Sequence, residues 1–218
     1  ALAKLGDRMP EEAIKAIAGR LRDDDSDVRA VAVEALAVFK DRLPEEVIND
    51  IAARLRDDDS GVRAVAVEAL AKLGDRMPEE AIKAIAGRLR DDDLYVRVAA
   101  AEALAKLEDR VPEEVIKDIA GRLCDDDWDV REATVKALAK LEDRVPEEVI
   151  KDIAGRLRDD DWDVRALAVE ALAVFKDRIN DEVIREIAGR LRDDNRYVRE
   201  SAYRTLKIFY EAGIPLPG

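Results

Sequence analysis

The stretch Asp23-Asp24-Asp25-Ser26-Asp27-Val28-Arg29 decides how this chain folds, because the pattern recurs along its whole length. The pattern consists of three acidic residues, two variable positions, a valine and an arginine. It returns every 34 residues, at 57–63, 91–97, 125–131 and 159–165. A sixth occurrence, at 193–199, has Asn195 as its third residue. Self-similarity at a fixed period of about 20–50 residues is typical of repeat proteins. The 218-residue chain is therefore interpreted as an array of one unit.

Six full copies of the unit follow one another in a single predicted domain, 1–218. Pro10 has counterparts at 44, 78, 112 and 146, and Asn180 takes the sixth place. Residues 1–7 equal residues 69–75, the end of a copy, so we expect the chain to begin inside a partial repeat. The copies run 8–41, 42–75, 76–109, 110–143, 144–177 and 178–211, and a tail covers 212–218.

Each copy reads as two helices joined by the acidic triplet. Pro10 suits the first turn of a helix, where its missing N–H costs nothing, and the two glutamates after it complement the positive helix end. The triplet interrupts the helical spacing, and an Asp there can cap the second helix. Because one helix pair cannot bury the apolar stripes of both helices, the copies must stack. In copy one the stripes are Ala13, Ile14, Ile17, Ala18 and Leu21, then Val28, Ala32, Ala35, Leu36 and Phe39.

The unit resembles the HEAT repeat in its short, phycobilisome-lyase-type form. The likeness rests on the triplet with Val-Arg, followed by Ala and Leu, as at Asp23–Arg29 with Ala32, Ala35 and Leu36. It covers essentially the whole chain. The resemblance implies an all-α fold, a right-handed α-solenoid of six stacked two-helix repeats after the partial repeat. The last copy departs from the pattern at Asn195, Thr205 and Lys207.

The same resemblance implies a structural ladder. In HEAT-like arrays the first Asp of the triplet and the Arg six residues later link neighbouring repeats. An Arg at a helix start among apolar residues needs a carboxylate, and charged hydrogen bonds contribute roughly 1.5–3 kcal/mol each. On this reading, Arg97→Ala would deprive Asp91 of its partner. The ladder residues are Asp23, Arg29, Asp57, Arg63, Asp91, Arg97, Asp125, Arg131, Asp159, Arg165, Asp193 and Arg199.

The copies differ mainly in their second helices. Copies one and three are identical from Arg8 through Asp25, and all their differences follow in the second helix and at its end. Random sequence drift at solvent-exposed positions would also place differences between copies on the first helix. Because most differences lie on the second helix, we interpret the variable positions as a recognition surface. In HEAT-like solenoids the second helices line the concave face. The variable columns are headed by Ser26, Asp27, Ala30, Val31, Glu34 and Val38.

Trp128 and Trp162 are the chain's two tryptophans, and they occupy the same column of adjacent copies. Stacked helices lie about 8–10 Å apart, so the two rings are expected to be neighbours. Exposed Trp and Tyr are favoured anchors of interfaces. In the alternative interpretation, each ring covers the adjoining loop and seals the stack. The predicted partner-binding residues are Leu94, Tyr95, Trp128, Asp129, Trp162, Asp163, Arg196 and Tyr197.

The composition argues against most catalytic and metal chemistry. The chain has no His, which removes His-based catalysis and His metal ligands, and its single Cys124 excludes an internal disulfide. A net charge of −13 argues against nucleic-acid and anionic-membrane partners. Calcium loops alternate their ligands around a turn glycine, whereas consecutive Asp residues serve as caps and Arg partners. We expect a cytoplasmic protein that is not an enzyme and holds no metal or cofactor.

Two origins and three functions fit this sequence. The chain is either a natural fragment of a larger scaffold or an engineered array. The favoured function is a scaffold or recognition module that binds a protein or peptide on its concave face. Alternatives are an accessory subunit of a bilin lyase and a structural spacer without its own ligand. Residues 1–7 supply half a helix, so we also expect weak end-to-end self-association through the N-terminal edge.

Overall fold

The computed structural model describes residues 10–216, and over this range it contains twelve α-helices and no strand. The first helices of the repeats are α1 (Glu11–Ala18), α3 (Glu45–Ala53), α5 (Glu79–Gly87), α7 (Glu113–Ala120), α9 (Glu147–Gly155) and α11 (Asp181–Gly189). The second helices are α2 (Ser26–Ala37), α4 (Ser60–Ala71), α6 (Leu94–Ala105), α8 (Trp128–Lys140), α10 (Trp162–Val174) and α12 (Arg196–Glu211).

Two parts of the sequence interpretation fall outside the described residues. One is the partial repeat at 1–7, and the other is the N-terminal edge that we expect it to leave open. Among the helices between residues 10 and 216, none is both long and apolar enough to cross a membrane.

The helix boundaries follow from the acidic triplet and from proline. Pro44, like its counterparts, directly precedes its helix with φ near −60° and is followed by two glutamates in the first turn. Each first helix ends in a tighter turn of 3₁₀ type. In copy two, Leu55 of this turn is buried. The third triplet residue caps the second helix as predicted: the Asp59 carboxylate accepts a hydrogen bond from the Val62 N–H. Asn195 keeps this role in the last copy.

The described helices form all-α stacks of paired repeats. Contacts divide the chain into two compact units, residues 1–107 and 108–218, and each is described by itself. In unit 1, α2 packs on α4 and α4 on α6; in unit 2, α8 packs on α10 and α10 on α12. The first helices contact each other much less, as in α1 against α3 and α7 against α9. In each unit the second helices are therefore the closely packed layer.

The prediction for the second-helix stripe was wrong at Val28. Its counterparts Val62 and Val96 in unit 1, and Val164 and Val198 in unit 2, are fully buried. Val28 is 36% exposed. The apolar spacing that marks the stripe is the same in all these copies, so spacing alone does not fix the burial of this column.

Candidate functional site

A buried arginine connects consecutive repeats within each unit. Arg29 donates from Nε and Nη2 to both carboxylate oxygens of Asp57, at 3.0 and 2.6 Å, and from Nη2 to Asp58 at 2.8 Å. Its Nη1 donates to the main-chain carbonyls of Asp23 and Asp24 at 3.0 and 3.1 Å. The Arg29 guanidinium therefore binds the acidic triplet of its own repeat and the acidic triplet of the next repeat.

The same arrangement recurs along both units. In unit 1, Arg63 donates to Asp91 at 3.0 and 2.7 Å; in unit 2, Arg165 donates to Asp193 at 3.0 and 2.9 Å. The contact between Arg131 and Asp159 is looser, with one N–O distance of 3.3 Å, and the buried Arg131 Nε has no hydrogen-bond partner.

The sequence expectation that Asp91 is the partner of Arg97, six residues later, was wrong. The Asp91 carboxylate accepts from Arg63, whereas Arg97 donates to the main-chain carbonyls of Asp91 and Asp92. The arginine side chain wraps around its own loop before it reaches a carboxylate. That carboxylate therefore lies 28 residues further on and not six residues back.

The three carboxylates of each triplet have separate roles. In copy two, Asp57 is buried and also accepts from Arg54 and from the Asp59 N–H, while Asp58 is exposed and Asp59 is the helix cap. In unit 2, Asp125 is likewise buried and accepts from the Asp127 N–H. Burial acts to raise the pKa of Asp193, but hydrogen bonds from Arg165 and the Asn195 N–H outweigh it and hold that pKa at about 2.

An exposed aromatic pair lies on the second helices of unit 2. Trp162, 37% exposed, stacks on Tyr197 with ring centroids 5.3 Å apart and planes 25° from parallel. The Arg196 guanidinium lies 5.4 Å from the Tyr197 ring centre. Trp128 is 42% exposed.

The expectation that Trp128 and Trp162 are neighbouring rings stays a prediction, and the ring partner of Trp162 that the structure shows is Tyr197. Tyr197 is 35 positions ahead of Trp162, so it stands one place beyond the position that corresponds to Trp162 in the next repeat. The residue 35 positions after Trp128 is Asp163. An acid thus stands at the position of copy five that corresponds to Tyr197 in copy six.

The acidic residues beside Trp128 form a crowded group. Burial, together with the nearby charges of Asp161 and Glu132, raises the pKa of Asp163. Glu132 forms an ion pair with Lys136 on the same helix, and Asp129 is half-buried. Sequence reasoning did not name Glu132 and Lys136 as site residues, although they stand in the variable columns headed by Ala30 and Glu34.

Two predicted binding residues lie in unit 1. Tyr95 is among the most exposed aromatic residues of the described chain, and Leu94 is half-buried at the start of α6. Both belong to unit 1. The other predicted binding residues belong to unit 2, and they are Trp128, Asp129, Trp162, Asp163, Arg196 and Tyr197.

Comparison with protein families identifies the repeat. The family model described as HEAT repeats matches residues 14–105, 48–139, 85–173 and 150–215, which together cover nearly the whole chain. No curated protein sequence matches the chain.

Solved structures with a similar fold include natural and designed repeat proteins. One is the complex of CpcE and CpcF of the phycocyanin lyase from Nostoc sp. PCC7120, with 20% identity, a TM-score of 0.61, and 94% of this chain and 80% of that chain covered. An archaeal HEAT-like repeats protein from Thermococcus onnurineus NA1 has 16% identity, a TM-score of 0.60, and 96% of each chain covered. A designed armadillo repeat protein in complex with the peptide (KR)4 has 18% identity, a TM-score of 0.60, and 90% and 99% covered.

Proposed function

Since the chain belongs to the HEAT-repeat family, we propose that it binds a protein or peptide segment through the second-helix face of unit 2. The observation that carries this proposal is the exposed Trp162–Tyr197 pair, which stands in columns that vary between otherwise constant repeats. We call Trp128, Trp162 and Tyr197 the aromatic surface.

Exposed aromatic rings support a binding role because a partner that covers them removes a large apolar surface from water, which is favourable in free energy. Trp and Tyr dominate the energetically important positions of interfaces, where they fill desolvated pockets. Trp128 and Trp162 replace the Ser26 and Ser60 that stand in the same column of copies one and two. Copies with serine there keep the same fold of paired helices, so the aromatic surface is not a requirement of the repeat.

The chemistry around Trp128 suits a basic side chain of the partner. A guanidinium or ammonium group on the face of an indole ring gains cation–π attraction of about 0.5–2 kcal/mol. The Asp163 and Glu132 carboxylates supply the opposite charge. Arg196 against Tyr197 is an example of the same contact within this chain.

The proposed role is non-catalytic. The repeated carboxylates are engaged with arginines and helix caps, as at Asp57 and Asp59, which supports a structural use for them. The designed armadillo protein with its bound (KR)4 peptide supports a helical-repeat surface as a platform for peptides. A spacer without its own ligand is the alternative that the experiment below separates.

The test is selection of peptides from a random display library on the immobilised chain, followed by fluorescence anisotropy with the selected sequences. We expect peptides enriched in Arg or Lys, whose affinity falls at least tenfold in Trp162→Ser. Tyr210→Ser is the matched control, since Tyr210 is an exposed aromatic outside the aromatic surface. Absence of any selected peptide, or equal binding by both variants, would contradict the proposal.

A further inference from the structure

A charged contact between the first helices of neighbouring repeats is complete in two places. In copy one, Arg22 donates from Nη2 to the Asp50 carboxylate of copy two at 3.0 Å. In copy five, Arg158 forms the same ion pair with Glu186 of copy six. Each arginine stands at the end of the 3₁₀ turn that follows a first helix, and its partner lies on the next first helix. An arginine side chain therefore fits between two first helices at this position of the repeat.

The same position of copy four is open. Cys124 stands there, at the end of the turn after α7, and its side chain is much shorter than that of an arginine. A cavity of about 400 Å³ lies between α7 and α9, with Cys124 and Asp152 in its lining. Asp152 corresponds to Asp50 and Glu186, but it takes part in no ion pair in the part of the chain that the structure describes. The cavity thus lies where copies one and five hold a guanidinium.

The charged groups around the cavity match those around the two complete contacts. They are Lys117, Glu148, Asp152 and Arg156. A lysine, two acids and an arginine stand in the same columns around Arg22 and around Arg158. The two corresponding sets are Lys15, Glu46, Asp50 and Arg54, and Lys151, Glu182, Glu186 and Arg190. Because both of these sets hold an additional arginine, the charges around the cavity suit one as well.

The charged groups of the cavity other than Asp152 already have partners. The Lys117 ammonium lies 3.4 Å from the Glu148 carboxylate, and the Arg156 guanidinium lies 3.6 Å from the Asp159 carboxylate. A cation that enters the cavity therefore meets one carboxylate that is not engaged, that of Asp152.

The ligand chemistry that fits this cavity is a guanidinium on an apolar stem. A guanidinium presents a planar fork of N–H donors that matches the two oxygens of a carboxylate, whereas an ammonium acts as a point charge. Ala120 and Val149 add apolar atoms to the lining, against which the methylene groups of an arginine can pack.

We propose that this cavity binds an arginine side chain of a partner polypeptide, with its guanidinium on Asp152 in the place that Arg158 takes on Glu186. The cavity lies on the first helices of unit 2 and includes no residue of the aromatic surface. The proposal therefore does not depend on the function proposed for the second helices.

The test is a titration with N-acetylarginine amide, which carries one guanidinium and no other charge, followed in NMR spectra of the chain. One exposed ion pair contributes little free energy, so saturation is expected at millimolar probe. We expect saturable shifts of the Cys124 and Asp152 amide signals, and binding of N-acetyllysine amide that is at least fivefold weaker. Shifts that do not saturate at these two residues, or equal binding of the two probes, would overturn the proposal.

Three variants locate the site. Cys124→Arg supplies the residue of copies one and five, so we expect it to fill the cavity and abolish the saturable shifts. Cys124→Ser keeps the cavity open and should bind within twofold of the wild type. Asn49→Arg adds the same charge at an exposed position of unit 1 and should also bind within twofold. A thermal melt checks that each variant is folded, and binding by folded Cys124→Arg equal to that of the wild type would overturn the proposal.

Arg158→Cys tests whether the absence of the arginine is sufficient to make such a site. This change removes the partner of Glu186 and opens the corresponding position of copy five. We expect a second set of saturable shifts, at Glu186, in addition to the set at Asp152. Failure of a folded Arg158→Cys variant to gain this second site would overturn the claim that the missing arginine creates the binding cavity.

Discussion

At the scale of single residues, a buried arginine costs free energy unless a carboxylate accompanies it. Arg63 and Asp91 are both buried and share two short hydrogen bonds. Removing one member of such a pair destabilises a protein more than the pair itself contributes, because the other charge stays buried without its partner. The link is therefore a condition of stacking one repeat on the next.

Arg63→Ala is expected to lower the free energy of unfolding by about 3 kcal/mol, since the buried Asp91 carboxylate loses its two hydrogen bonds from the Arg63 guanidinium. Urea unfolding followed by circular dichroism measures it. The control is Arg22→Ala, which breaks an exposed ion pair with Asp50 and should cost less than about 1 kcal/mol. Equal losses in the two variants would contradict the account of the link.

The pKa of Asp193 gives the link a pH dependence. Its value of about 2 in the folded chain lies below the ordinary value of about 3.9 in an unfolded chain. A carboxyl group with a lowered folded pKa stabilises the fold above its unfolded pKa and loses that effect as the pH falls. We therefore expect the melting temperature to fall between about pH 4 and pH 2.

Asp193→Asn should flatten part of that fall, because it removes the carboxyl group whose pKa is lowered. Melts recorded by circular dichroism at half-unit pH steps make the comparison. Parallel pH profiles for the wild type and Asp193→Asn would show that this carboxyl group does not contribute.

At the scale of elements, the helix pairs follow from the sequence but their partners do not. The period, the cap and the apolar spacing predict where helices begin, as at Asp59 before α4. A repeated sequence offers the same residue types in a repeat's own loop and in the next loop. Spacing therefore does not tell whether Arg97 reaches back or Arg63 reaches forward to Asp91. The stacking of Trp162 on Tyr197, 35 positions ahead, is likewise not given by the 34-residue period.

The turns after α2, α4, α6 and α8 each contain a position with positive φ, in the same column of the repeat. Gly74 has φ +54°, and in the same column Glu142 adopts φ +40°, a region that favours glycine. Glu142→Gly is therefore expected to stabilise the chain by about 0.5–1 kcal/mol, and Gly74→Glu to destabilise it by a similar amount. Thermal unfolding of the pair of variants checks the sign. Changes of the same sign in both would contradict this explanation.

At the scale of the whole molecule, a constant framework supports a variable surface. The helix pairs of the framework could be predicted because the apolar spacing and the acidic residues before the second helix recur along the chain. The surface could be placed on the second helices by comparing copies, but its chemistry could not, since the crowding of Asp163 with Asp161 and Glu132 needs three dimensions. The exposure of Val28 could not be predicted either, because the apolar spacing is the same at Val28 and at its buried counterparts.

If the framework and surface are separable, replacing both tryptophans should affect binding and not folding. Serine at positions 128 and 162, as copies one and two already have, should cost less than about 1 kcal/mol of stability. Binding of a selected peptide should weaken by about 2 kcal/mol or more. A large drop in melting temperature would mean that the rings seal the stack.

The most direct measurement uses the two tryptophans themselves. Trp128 and Trp162 are the chain's only tryptophans, and both are exposed on the aromatic surface, so tryptophan fluorescence excited at wavelengths that tyrosine does not absorb reports on that surface. Titration with a selected peptide should shift the emission maximum to shorter wavelength as the rings are covered, with the dissociation constant found by anisotropy. Saturable peptide binding that leaves the emission unchanged would contradict the claim that recognition takes place there.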